Sequence, residues 1–227
     1  MKTFEHWKSE ELELQIGIKR IKRHPALMQW LAATYEATEN ESYSVERLRI
    51  HLEDNAEYWN EDELKFFFIS PLLNIVDFVT EHYKPFTQRN FGGKVKDIHG
   101  QEIELKGRVE FIVATGKQDP REPYFFVHEY KQEAPPFIPP NWGDKGGNDP
   151  LGQVLSAMVA AQQNNEGMGV ETIYGCYVIG RFWFLVILIG KEYGVSSAFD
   201  ATKQADISQV FACIQAAKTE INRYFSI

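Results

Sequence analysis

The sequence contains little cysteine, no long uninterrupted hydrophobic run and no surplus of basic residues. Two cysteines in 227 residues, Cys176 and Cys213, are too few for a disulfide framework and are typical of reduced core thiols. The most apolar segment, residues 173–190, is interrupted by Gly180-Arg181, which predicts a hairpin of two buried strands and argues against a membrane span. A net charge of −8 argues against a protein that coats nucleic acid by bulk electrostatics.

The first five residues, Met1 to Glu5, have mixed charge and no apolar core of a secretory signal, so we expect a cytoplasmic protein without membrane association. A hydrophobic fraction of 44% is typical of a globular chain, and 227 residues can bury one sizeable core. We predict two parts, a helical N-terminal extension over residues 1–59 and an α/β core over residues 60–227. The core should have a mixed central sheet flanked by helices.

Residues 85–113 alternate between apolar and polar side chains, which predicts an antiparallel meander with breaks at Gly92-Gly93 and His99-Gly100. Five apolar residues occupy odd positions, namely Ile103, Leu105, Val109, Phe111 and Val113. We therefore expect the even positions, including Glu110, on the opposite face. A lone acid in an apolar strand is costly to bury unless it is paired or binds a cation.

The apolar run from Tyr124 to His128 predicts a strand buried on both faces, and it leads directly into Glu129-Tyr130-Lys131. Side chains two positions apart on a strand share a face, so Glu129 and Lys131 should project together. His128 faces the other way and is best interpreted as a core histidine. Two carboxylates and an ammonium between neighbouring strands form a plausible site for a divalent metal and an activated water.

Two predicted helices bracket these strands. Asn60 is a suitable N-cap for a helix that begins with Glu61 and continues through the apolar positions Phe67, Phe68, Leu72, Leu73 and Val76. Asp149-Pro150 predicts the start of a second helix, which carries Gln153. The Pro- and Gly-rich segment before it, residues 134–150, is expected to be a loop beside the site, where Phe137 and Trp142 either stack on bases or pin the loop to the core.

The densest basic cluster comprises Lys19, Arg20, Lys22 and Arg23. A phosphate contact is one interpretation, but acidic flanks favour an ordinary solvated surface. A helix over residues 206–224 should close the chain.

The order of these features resembles the PD-(D/E)XK nuclease superfamily over Asn60 to Ile189. In that superfamily an acid on one core strand is followed by Asp/Glu-x-Lys on the next, as Glu110 is followed 19 positions later by Glu129-Tyr130-Lys131. Glu61 before an apolar stretch is similar to the first-helix glutamate of restriction-enzyme domains. Gln153 is similar to the glutamine on the helix after the lysine strand. The first acid is Glu110, whereas the family motif has aspartate.

The resemblance implies a restriction-endonuclease-like fold and a definite set of roles. Glu110, Glu129 and the Tyr130 backbone carbonyl would bind Mg²⁺ or Mn²⁺, with Glu61 completing or supporting the shell. Lys131 would orient or help to deprotonate the attacking water, and Gln153 would position neighbouring groups.

The function implied is hydrolysis of DNA phosphodiester bonds by a metal-dependent nuclease of a restriction or repair type. The acidic balance motivates an alternative, a non-catalytic module that keeps the nuclease architecture and binds nucleic acid or protein. Hydrolysis of a smaller phosphodiester is a third alternative. The oligomeric state stays open, with a homodimer among the alternatives.

Overall fold

A computed structural model describes residues 2–131 and 149–227. Short turns of 3₁₀-helix (Phe4–His6) and π-helix (Lys65–Ile69) accompany the regular elements. In chain order these are α1 (Ser9–Ile16), β1 (Lys19–Arg20), α2 (Pro25–Leu31), α3 (Glu39–Asn55), α4 (Glu61–Leu64), α5 (Ser70–Val76), β2 (Lys84–Lys96), β3 (Glu102–Thr115), β4 (Arg121–Lys131), α6 (Pro150–Asn164), β5 (Thr172–Ile179), β6 (Phe182–Ile189), β7 (Glu192–Val195), β8 (Phe199–Asp200) and α7 (Gln204–Phe225).

The strands of the described residues form one mixed eight-stranded sheet in the order β1-β7-β6-β5-β4-β3-β2, with β8 paired to β6. The β1·β7 and β4·β5 pairs are parallel, and the others are antiparallel. The predicted α/β architecture with a mixed central sheet is therefore confirmed. No described helix is long and apolar enough to cross a membrane.

Helices cover both faces of the sheet, and each face has its own hydrophobic core. One core is built largely from α2, α3, α5 and α7, where Phe68 and Phe211 pack with Trp183 of β6. The other is built from α1 and α6, where Leu12 and Met158 pack against the opposite side chains of the strands. Because both faces are buried, β5 and β6 are nearly continuous apolar runs.

The hairpin of β5 and β6 forms as predicted. Ile179 pairs with Phe182, which leaves Gly180-Arg181 as the turn, and Gly180 has a φ of 56°. Glycine tolerates this left-handed conformation because it has no Cβ. Cys176 and Cys213 are both free and buried, which confirms their interpretation as reduced core thiols.

The break predicted at Gly92-Gly93 is wrong, because β2 runs through both glycines without interruption. A Cβ at Gly93 would lie 2.8 Å from Asn164 Oδ1 and 2.9 Å from the Ala160 carbonyl oxygen of α6. Glycine is needed here for close helix-to-strand packing and not for a turn.

The simple alternation predicted for β3 is also wrong. Val109 packs in the core beside α6, whereas Phe111 and Val113 pack in the core on the other face, although all three positions are odd. The faces exchange at Glu110, opposite Gln88 of β2, which has a φ of 56°. A residue in the left-handed region interrupts the extended geometry on which alternation depends, so positions beyond it need not keep their faces.

The helix predicted after Asn60 is divided into three parts. Its N-cap is as expected, because the Asn60 side chain accepts a hydrogen bond from Glu63 N at 2.9 Å. The π-turn at Lys65–Ile69 then changes the angular spacing of the side chains. As a result Phe68 is fully buried but Phe67 is 41% exposed, so Phe67 does not belong to the buried face.

The N-terminal sixty residues are mostly helical, but they also supply β1, which pairs with β7 at the sheet edge. The basic residues Lys19 and Arg20 form this strand, and both are exposed. The boundary at residue 59/60 stays a prediction. Phe137 and Trp142 lie outside the described residues.

Candidate active site

Two acids meet where β3 and β4 diverge. The last paired positions toward this end are Phe111 and His128, and one step further lie Glu110 on β3 and Glu129 on β4. Strand β4 continues by pairing with β5 as far as Lys131 and Ile179. This pairing keeps β4 extended, so Glu129 and Lys131 share a face, and Lys131 Nζ lies 3.3 Å from Glu129 Oε1.

The third acid arrives from α4. Asn60 fixes the start of the helix, and Glu61 is its first residue. Lys131 Nζ lies 3.9 Å from Glu61 Oε2, so the ammonium stands between Glu61 and Glu129. Glu61 also lies close enough to Glu110 for that carboxylate to help raise its pKa. The structure therefore brings the four charged residues expected from the sequence into one cluster.

Glu110 is held by three donors. The Tyr130 hydroxyl donates to Glu110 Oε2 at 2.5 Å, the Gln88 side-chain amide donates to the same oxygen, and Lys65 Nζ lies 3.4 Å away. The Lys65 ammonium also lies 5.2 Å from the centre of the Tyr130 ring. These contacts keep the Glu110 carboxylate in a fixed position.

Sequence reasoning missed all three of these donors. Lys65 could have been found, because it follows Glu61 by four residues and so shares its helical face. Tyr130 was expected to act through its backbone carbonyl, and the hydroxyl is the group that contacts Glu110. Nothing in the sequence marks Gln88, whose position depends on its unusual φ.

Glu129 has a contrasting environment. It is only 3% exposed, and within the part of the chain that the structure describes its Oε1 has no hydrogen-bond partner, although the Lys131 ammonium lies 3.3 Å away. Burial raises its pKa to about 8; Lys131 opposes this shift, and the Glu110 and Glu61 carboxylates add to it. Without further positive charge, burial therefore favours the protonated form of this carboxyl.

Burial and the neighbouring charges also shift the pKa values of Glu61 and Lys131. Burial raises the pKa of Glu61, Lys131 lowers it and Glu110 raises it again. Burial would lower the pKa of Lys131, but the Glu129 and Glu61 carboxylates outweigh burial and raise it. Lys131 is therefore an ammonium at neutral pH. Its single positive charge does not fully balance the acids around it.

The remaining predicted site residues are less closely engaged. Gln153 is buried in the first turn of α6, where its carbonyl accepts a hydrogen bond from Ser156 Oγ at 2.8 Å. Within the described residues its side chain makes no hydrogen bond to Glu110, Glu129 or Lys131. The roles assigned to Gln153 and to the Tyr130 carbonyl stay predictions.

His128 lies in the core on the face opposite Glu129. Its ring stacks on Trp183 with centroids 5.4 Å apart and planes at 13°, and it is fully buried. Burial lowers its pKa to about 3, with a smaller contribution from Lys65. This neutral packing histidine agrees with the interpretation from strand alternation.

The donor chemistry suits a hard divalent cation. Among the described residues, no group of three or more His, Cys, Asp or Glu side chains is already arranged around a common metal position. Yet Glu129 Oε1 is buried and has no hydrogen-bond partner in residues 2–131 and 149–227, and Glu110 and Glu61 supply further carboxylate oxygens beside it. Carboxylate oxygens are the preferred protein ligands of Mg²⁺ and Mn²⁺, so the residues fit such an ion.

Comparison with known proteins gives no family assignment: no protein-family model matches the chain, and the search of curated proteins found no significant match.

Proposed function

We propose that the protein is a metal-dependent nuclease with a restriction-endonuclease-like core, which hydrolyses phosphodiester bonds of DNA in a restriction or repair process in the cytoplasm. The observation that supports it best is the convergence of Glu61, Glu110 and Glu129 from three elements around Lys131. The buried Glu129 Oε1, which no described residue contacts by a hydrogen bond, adds a position at which a cation would be stabilised.

Glu110 and Glu129 would hold Mg²⁺ or Mn²⁺, together with the Tyr130 carbonyl, and Glu61 would support them. The bound ion supplies positive charge that stabilises the developing charge on the scissile phosphate. Tyr130, Gln88 and Lys65 keep Glu110 oriented through their contacts with its carboxylate.

Lys131 would position the attacking water. Its neighbours Glu129 and Glu61 keep it protonated, so its ammonium donates hydrogen bonds and does not remove a proton while both acids are ionised. An ammonium fixed between two carboxylates orients a water or a phosphate oxygen without further reorganisation. Gln153 would position neighbouring groups from the first turn of α6.

Cleavage of plasmid and single-stranded DNA by the purified protein tests this function. We expect cleavage that needs Mg²⁺ or Mn²⁺ and that falls at least about 100-fold in Lys131→Ala, the size of loss typical for a preorganised charge-stabilising donor. Lys94→Ala is the matched control, because Lys94 lies on the same sheet in an exposed ion pair with Glu102. Equal cleavage by the parent and Lys131→Ala, or none by the parent, would refute the proposal.

One observation favours a second candidate, a non-catalytic module that uses the nuclease architecture to bind nucleic acid or protein. Glu110 Oε2 is already engaged by three donors, and such a carboxylate needs no cation. This candidate predicts no stabilisation by metal. A clear rise in melting temperature with Mn²⁺ that disappears in Glu110→Ala would argue against it.

A further inference from the structure

A group of aromatic rings lies on the surface next to the candidate active site. We define the aromatic surface as His51, Trp59, Phe66 and Phe67. Trp59 and Phe67 stack with centroids 5.7 Å apart and planes at 28°, and Phe66 meets Phe67 edge to face at 5.1 Å. Phe66 is 72% exposed, so a large apolar ring lies in solvent.

The backbone explains how these rings reach the surface. Phe66 and Phe67 lie in the π-turn between α4 and α5, and the turn directs the next residues, Phe68 and Ile69, into the core. The ring of His51 on α3 packs edge to face against Trp59 and Phe67 and fixes their positions. A contiguous apolar patch held in this way is typical of a binding surface.

The aromatic surface is continuous with the carboxylate cluster. Phe66 and Phe67 line a shallow cavity of about 480 Å³ together with Lys65, Asn60, Asp62, Glu63 and Ser70. Lys65 also lies 3.4 Å from Glu110 Oε2. The Lys65 side chain thus lines the cavity and also contacts the carboxylate cluster.

The chemistry of the cavity points to flat rings with polar edges. The Phe66 and Phe67 rings offer apolar faces, while Asp62 and Glu63 offer carboxylate acceptors and Lys65 offers a donor. Asp62 and Glu63 repel phosphate groups, so the cavity does not suit a phosphodiester backbone. A nucleobase has both the aromatic face and the hydrogen-bonding edge that these groups require.

We propose that the aromatic surface stacks unpaired nucleobases of a single strand that flanks the phosphodiester in the active site. This inference rests on the proposed nuclease function. In a duplex the base faces are covered by their neighbours, so only an unpaired base presents a face to Phe66.

Binding of short oligonucleotides in EDTA tests the inference without cleavage. The probes are a fluorescein-labelled 12-nucleotide oligothymidine, the same backbone with abasic sites at every position, and a 12-base-pair duplex. We expect the parent protein to bind the oligothymidine best, and Phe66→Ala to bind it about tenfold more weakly, as loss of one stacked base predicts. Phe66→Trp should restore binding, because tryptophan also stacks.

Tyr43→Ala is the matched control, because Tyr43 on α3 is a 66% exposed aromatic residue outside the aromatic surface. Unchanged binding in Phe66→Ala, or equal binding of the oligothymidine and abasic probes by the parent, would overturn the inference. Dimerisation of the parent that Phe66→Ala abolishes would also overturn it, by assigning the rings to a contact between two copies.

Cleavage is scored separately, on plasmid with Mn²⁺ and the Lys131→Ala variant. Cleavage that depends on Lys131 together with unchanged oligonucleotide binding in Phe66→Ala would overturn the stacking role alone. Loss of oligothymidine binding in Phe66→Ala without any cleavage by the parent would instead overturn the nuclease function and keep the stacking surface.

Discussion

Glu110 and Glu129 occupy neighbouring strands, yet their surroundings are opposite. The Glu110 carboxylate is contacted by the Tyr130 hydroxyl, the Gln88 amide and the Lys65 ammonium. Glu129 is buried with Lys131 as its neighbouring positive charge, and among the described residues its Oε1 has no hydrogen-bond partner. Glu110 is thus stabilised by contacts within the protein, whereas a negative charge on Glu129 is only partly compensated.

Glu110 and Glu129 are therefore expected to have different roles. Glu110 is held in position by its three donors, whereas a charge on Glu129 becomes favourable only when positive charge is added beside it. Binding of a cation should therefore depend most strongly on Glu129. The same residue should lower the stability of the protein when no cation is bound. The following predictions test this contrast.

Substitution of Glu129 should have the largest effect. Glu129→Gln keeps the side-chain volume but removes the charge, so we expect DNA cleavage to fall by roughly 1,000-fold or more and the melting shift with Mn²⁺ to disappear. Cleavage assays and thermal melts with and without Mn²⁺ measure both effects. Glu104→Gln, a partly exposed acid on β3 paired with Lys106, is the control. A melting shift with Mn²⁺ as large in Glu129→Gln as in the parent would contradict this difference between Glu110 and Glu129.

The stability of the protein without a cation should fall as pH rises. The folded-state pKa of Glu129, raised by burial to about 8, lies above the usual value of 4.5, so between these limits the folded state holds more protons than the unfolded state. Stability from this group is complete below about pH 4.5 and declines up to about pH 8, by on the order of 5 kcal/mol.

Urea denaturation in EDTA at several pH values measures this decline. The raised pKa of Glu61 acts in the same direction, so Glu129→Gln should reduce the pH slope without removing it. If stability changed with pH as steeply in Glu129→Gln as in the parent, burial would not be raising the pKa of the Glu129 carboxyl.

Removal of the Tyr130 hydroxyl should have a smaller effect. Tyr130→Phe deletes one of the three donors to Glu110, and loss of a hydrogen bond to a charged group is expected to lower the free energy of unfolding by about 1.5 to 3 kcal/mol. Urea denaturation measures the change. Tyr43→Phe, at an exposed tyrosine, is the control. If Tyr130→Phe were as stable as the parent, the hydroxyl would not be holding Glu110.

Sequence patterns located much of this region because they depend on local rules. Alternation along β4 placed Glu129 beside Lys131, and the Asn60 cap placed Glu61 at a helix start. Gly180 marked the hairpin turn correctly. Each of these features follows from a few adjacent residues whose backbone geometry is regular or has a specific glycine or cap.

The features that sequence patterns missed depend on tertiary packing. The exchange of faces at Glu110 lies opposite Gln88, whose φ is 56°, and glutamine carries no sequence signal for a left-handed conformation. The π-turn exposes Phe66 and Phe67 and buries the next residue, Phe68, in the core between the sheet and the helices. Regular helix spacing therefore assigned Phe67 to the core incorrectly.

Glu61 should contribute least among the three acids. Its side chain is 39% exposed and its distance to Lys131 Nζ is 3.9 Å, so solvent screens much of the interaction. We expect Glu61→Gln to change the free energy of unfolding by less than about 1 kcal/mol and to slow cleavage only severalfold. Asp62→Asn, at the next position of α4, is the control for the helix dipole. A loss of cleavage as large as that of Glu129→Gln would show that Glu61 is a direct ligand of the ion and would place it beside Glu129 in importance.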